Sequence, residues 1–125
     1  MSPVELWQFL PRGYALTVAV EIPVLWFALS RRHDWRVRLG AGLALTAFTY
    51  PIVVLVLPLL MAGYSRTAYL VVAETFAPLA ECLLFWFVYD LPRPGTRREL
   101  WQDMGAIVAA NLASFGLGEM LPGGW

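Results

Sequence analysis

Lysine is absent from this 125-residue chain, and histidine and cysteine occur once each, as His33 and Cys82. A lone thiol excludes an intramolecular disulfide, and one imidazole beside one thiol excludes bis-histidine haem ligation and a closed cysteine/histidine zinc site. His33 falls in the Arg-rich stretch SRRHDWRVR, so it is expected to be an ordinary solvated loop residue, and a hydrolytic triad then has no base. No glycine-rich phosphate loop is present. Charged residues make up only 14% of the chain and balance to zero, which leaves no basic footprint for a nucleic acid. No cofactor is expected.

What fills the space is apolar. Hydrophobic residues reach 59%, well above the soluble norm, and they gather into four segments: Tyr14–Leu29, Leu39–Met61, Ala68–Tyr89 and Met104–Leu121. A bilayer core is crossed by roughly 20 such residues, so the expected fold is all-α, a single domain forming a polytopic integral membrane four-helix bundle. The N-terminus lacks the basic region and cleavage site of a secretory signal, so the first span is expected to remain. Ahead of it, Pro3 is expected to begin a short surface helix through Glu5–Leu10, with Pro11 turning the chain.

The nine arginines sort by side. Arg31, Arg32, Arg36 and Arg38 lie in the first connection and Arg93, Arg97 and Arg98 in the third, against Arg12 and Arg66 on the other side. The positive-inside rule then puts both Arg-rich loops in the cytoplasm and both termini outside a cytoplasmic (inner) membrane. Aromatic residues mark the same two levels, with Trp7, Tyr14, Tyr64, Tyr69 and Trp125 at the outer one and Trp26, Trp35, Trp86, Tyr89 and Trp101 at the inner one.

Each span also carries something polar near mid-depth. Glu21 lies in the first, Thr46 and Thr49 in the second, Glu81 in the third, and Asn111 with Ser114 in the fourth; Glu74 stands closer to the outside and Glu119 closer still. Ionisable side chains inside a membrane are costly and face a partner rather than lipid. With no arginine or histidine at that depth, the acids either hold protons or hold a cation. Glu21, Glu74, Glu81, Thr49, Asn111 and Ser114 form the candidate proton or cation site. Pro23, Pro51 and Pro78 are expected to kink their helices and free backbone carbonyls close by, completing an all-oxygen setting.

The two halves of the chain also correspond. Glu21, an Arg-rich loop and GLALTAFTYP parallel Glu81, a second Arg-rich loop and GAIVAANLASFG, with Thr46 and Thr49 answering Asn111 and Ser114. Two parallel helical-hairpin repeats are implied. Small residues at Ala106, Ala110, Ser114 and Gly118 form a stripe along the fourth span, and Gly42 with Thr46 is a shorter version; both are read first as helix-packing signals, and the stripe also as the candidate contact surface for a homo-oligomer or a larger membrane assembly.

Within AVEIP, Glu21 resembles the essential first-span glutamate of the small multidrug exporters, dimers that exchange protons for cationic drugs. The additional Glu74 and Glu81, and the lack of a glycine-rich third span, set this chain apart, so the likeness implies a mechanism and not membership. Two functions follow. The first is movement or binding of protons or a small cation through midplane carboxylates. The alternative is a non-catalytic structural or assembly subunit whose acids pair with groups on a larger membrane complex. The expected partners are the lipid bilayer and either further copies of the chain or other membrane subunits. Enzymatic chemistry on a lipid or quinone stands last, since Glu and Asn alone can support acid–base catalysis.

Overall fold

The computed structural model describes residues 3–120, which form four helices and, among the described residues, no strand. Helix α1 is Pro3–Ala28, α2 is Trp35–Leu60, α3 is Arg66–Asp90 and α4 is Arg97–Met120. Trp125 and Leu121 lie outside the described residues, as do the side chains of Gly118 and Glu119.

Local chemistry sets the helix ends. Asp34 caps α2 by accepting from the Val37 N–H at 3.0 Å, and Ser65 caps α3 by accepting from Ala68 at 3.1 Å. Ahead of α4, Thr96 and Glu99 exchange side-chain-to-backbone bonds of 2.9 and 3.1 Å, a reciprocal capping box. That acceptance from Thr96 holds the Glu99 carboxyl below its ordinary value. Arg38 closes the far end of α1 by donating to the carbonyl of Trp26, one of those that a helix terminus leaves without partners, and to the carbonyls of Ser30 and His33 in the connection that follows.

Proline interrupts less than expected. Helix α1 runs without a break through Pro11 and Pro23, so the separate surface helix ended by a turn at Pro11 does not form. The ring removes one donor and costs about 3 kcal/mol, yet the residues on either side remain helical. Pro51 acts differently, because it precedes a π-helical turn at Ile52–Val56.

A second π-helical turn, Trp86–Asp90, closes α3. The buried positions of this helix are Ala73, Ala77, Glu81 and Phe85, four apart, and then Asp90, five further on. The wider turn shifts the register by one residue. It thereby brings Asp90 into the buried row.

Helix α1 packs against α2 and α4, and α3 packs against the same two, so the four helices close a ring. The first and third connections meet at one end, where Arg32 Nη1 lies 2.8 Å from Asp90 Oδ1. Just inside that end sits the apolar core, with Leu25, Leu29, Leu45, Phe85 and Ile107 fitted around Ala41, Ala106 and Ala110. Cys82 packs against this core and directs its Sγ at the Met104 carbonyl, 3.7 Å away. The small-residue stripe of α4 is thus spent inside the chain: Ala106, Ala110 and Ser114 are all buried. It is not an outward surface for a second copy, because small residues were needed for α4 to approach its own neighbours.

By length and composition two helices, α2 and α3, are apolar enough to cross a membrane, with mean hydropathy of 2.2 and 1.7. Large apolar side chains point outward on all four, among them Phe27 at 86%, Leu60 at 71% and Trp101 at 69% exposure. Gly42 fixes the closest approach of α1 to α2, since a Cβ there would stand 2.6 Å from Ile22 Cγ1 and 3.4 Å from its Cα. Gly42→Val is expected to lower stability by about 1–3 kcal/mol through overpacking, measured as a reduced unfolding midpoint in detergent, with Gly42→Ala intermediate.

Candidate functional site

Between the helices lies a partly open cavity of about 80 Å³. A single water needs roughly 10–15 Å³, so the space accommodates several waters or a small ion with its shell. Glu21, Glu74, Glu81, Thr49, Asn111 and Ser114, the residues singled out from the sequence, all line it, together with Thr17, Thr46 and the rings of Tyr50 and Tyr69. No basic side chain is among the lining residues.

Helix α1 buries Gly13, Thr17, Glu21 and Leu25, a row four residues apart that Leu29 continues just past its end, and α3 buries Ala73, Ala77, Glu81 and Phe85 in the same rhythm. Shifting by 60 residues superimposes the two rows. Helices α2 and α4 correspond likewise on a shift of 65: Ala41, Gly42, Leu45, Thr46 and Thr49 are buried, and so are Ala106, Ile107, Ala110, Asn111 and Ser114. Rows spaced by four form the ridges that interlock when helices cross.

At the centre the two acids share one pattern of partners. Glu21, only 2% exposed, accepts from Thr46 Oγ1 on α2 through Oε2, and from Ser114 Oγ on α4 at 3.5 Å through Oε1. Glu81, only 3% exposed, accepts from Thr49 Oγ1 on α2 at 2.8 Å and has the Asn111 side chain of α4 as a second partner. Each acid therefore joins α2 to α4. The two carboxyls are also close enough to act on each other electrostatically, and Glu74 acts on Glu81 in the same way.

Backbone carbonyls hold the donors in place. Thr49 Oγ1 also lies 3.1 Å from Leu45 O, Asn111 Nδ2 donates to Ile107 O at 2.9 Å, and Ser114 Oγ is 3.0 Å from Asn111 O. Thr17 Oγ1 is buried in the cavity wall without a hydrogen-bond partner, which marks the space as one that polar matter suits. Pro23, Pro51 and Pro78 all fall within helices.

A second polar group at the connection end was not foreseen. His33 is 7% exposed rather than solvated, with Nε2 placed 2.8 Å from Asp103 Oδ2 and its ring edge-on to Phe85 at 5.1 Å. The carboxylate of Asp103 also accepts from Ser30, at 2.7 Å from N–H and 3.1 Å from Oγ. Burial pushes the Asp103 carboxyl up, but the bonds from His33 and Ser30 outweigh it and hold the group below its ordinary value. Position in an Arg-rich connection concealed His33, because the acid it meets lies 70 residues away. The only hint was three polar residues, His33, Asp90 and Asp103, each at the margin of an apolar segment.

No family model, curated protein or solved structure matches this chain.

Removing the Thr49 hydroxyl leaves Glu81 with one donor fewer in a buried site. Thr49→Val is expected to cost about 1–3 kcal/mol, whereas Thr75→Val, at an exposed hydroxyl bonded only to the Val71 carbonyl, should stay within about 0.5 kcal/mol. Unfolding of both variants in one detergent checks the difference.

Proposed function

We propose that this chain is a small integral membrane protein that binds or moves protons or a small cation through the paired carboxyls of Glu21 and Glu81. The observation that carries the reading is their placement: two buried acids face one cavity whose lining has no basic side chain, each supplied with donors from both α2 and α4. A carboxyl in that setting is balanced by a proton or by a cation within the cavity. Glu74 serves as the outer relay, and Thr49, Asn111 and Ser114 as supporting ligands.

In this reading all four helices cross the bilayer as a bundle of two parallel helical-hairpin repeats. Glu21 answers Glu81, while Thr46 and Thr49 answer Asn111 and Ser114. The burial rows and the reciprocal bonding support the repeat, since Thr46 with Glu21 repeats as Asn111 with Glu81, and Thr49 with Glu81 repeats as Ser114 with Glu21. Lipid covers the outward apolar side chains, and the Arg-rich connections lie in the cytoplasm with both termini outside. Many transporters place their coupling-ion site near mid-depth at a repeat interface.

Liposomes reconstituted with the chain provide the test. A pH or monovalent-cation gradient is expected to drive flux that Glu81→Gln reduces to background and Thr75→Val leaves unchanged. Flux equal in wild type and Glu81→Gln removes the assignment. A chain without flux that always purifies with one stoichiometric membrane partner assigns the acids to assembly.

A further inference from the structure

At the end of the molecule opposite the second connection, three side chains from three separate segments converge. His33 comes from the α1–α2 connection, Asp90 from the π-helical end of α3 and Asp103 from the first turns of α4. All three are buried, and one ligating atom from each lies within 4.8 Å of the other two. We propose that His33, Asp90 and Asp103 form a binding site for a divalent transition-metal ion of the zinc class, separate from the carboxyl cavity and independent of the function proposed for it.

An unanswered oxygen is the observation that points to a ligand. Asp90 is 4% exposed; its Oδ1 takes the Arg32 guanidinium at 2.8 Å, while its Oδ2 is buried with no hydrogen-bond partner. Leaving a buried carboxylate oxygen unsatisfied is expensive, and a cation beside it relieves the cost. A register shift through a π-helical turn is what brings this acid inward.

The neighbours resemble the outer shell of a metal centre. Ser30 fixes Asp103 with its N–H and its hydroxyl, so Oδ2 faces His33, and Arg32 orients Asp90 through Oδ1. Phe85 and Tyr89 stand edge-on to the imidazole at 5.1 and 6.4 Å and shield it. Such supporting contacts orient ligands and tune a metal site.

Distances and chemistry agree with the assignment. Two ligands about 2.05 Å from a tetrahedral ion stand about 3.4 Å apart. The 2.8 Å between His33 and Asp103 must open slightly, with the ion replacing the shared hydrogen, and the wider separations must close by an ångström or so. Rotation of a carboxylate, whose oxygens are about 2.2 Å apart, provides that range. One imidazole and two carboxylates balance a 2+ charge and leave the fourth position for water, as in open zinc sites. Arg32 already neutralises part of Asp90, so binding is expected to be moderate rather than tight.

The chain's single histidine makes the test decisive on the wild-type protein. The untagged full chain in detergent, stripped with chelator, is titrated with Co²⁺ and with Zn²⁺. One equivalent is expected to bind, with a visible cobalt band that Zn²⁺ displaces and a raised thermal midpoint. X-ray absorption of the zinc-loaded chain is expected to show one imidazole among oxygen ligands, which in this sequence identifies His33. Asp90→Asn should weaken binding by about tenfold or more, and the Glu21→Gln/Glu81→Gln double variant should leave it unchanged. Absence of a stoichiometric ion, an all-oxygen ligand set, or binding that survives Asp90→Asn and is lost in the double glutamine variant overturns the site.

Discussion

Two carboxyl groups in an apolar interior are the constraint around which the chain is arranged. A buried acid without donors is costly, and here each one is supplied from two different helices. Because Glu21 sits on α1 and Glu81 on α3, and both reach α2 and α4, the polar contacts tie all four helices at one level. The apolar core fills the space between that level and the connection end.

Donor placement imposes its own demands on the helices. Thr46, Thr49, Asn111 and Ser114 each face inward because α2 and α4 bury pairs of residues every four positions, and small residues beside them let the axes come close. Gly42 allows Ile22 of α1 to lie almost on the α2 backbone, which brings Glu21 within reach of Thr46. Helix packing and polar satisfaction are therefore one problem with a joint solution. A bulkier residue in either row would part the donors from the acids.

The connection end solves a different problem. Two loops rich in arginine meet there, and that charge is converted into structure: Arg32 joins the buried Asp90, and Arg38 gathers the carbonyl of Trp26 near the end of α1 with those of Ser30 and His33 in the connection. His33 and Asp103 complete the group beneath an aromatic cover. Some arginines that set a charge bias in the sequence are thus also fasteners between helices.

Much of this architecture follows from residue order alone. Four apolar runs dictate four helices, but their starts lie outside those runs, because Asp34, Ser65 and Thr96 cap the last three helices at Trp35, Arg66 and Arg97, ahead of the apolar residues. The common depth of Glu21, Glu81 and the Thr and Asn/Ser pairs was legible in the sequence, and helical periodicity puts the members of each Thr and Asn/Ser pair on one face. Rotation, register and distant pairing were decided only in the folded chain. A continuous α1 through Pro11, the π-helical step that turns Asp90 inward, the inward use of the α4 stripe and the burial of His33 against Asp103 all depend on contacts between residues far apart in sequence. Local propensity does not encode such contacts; they exist only once helices from both halves share one interior.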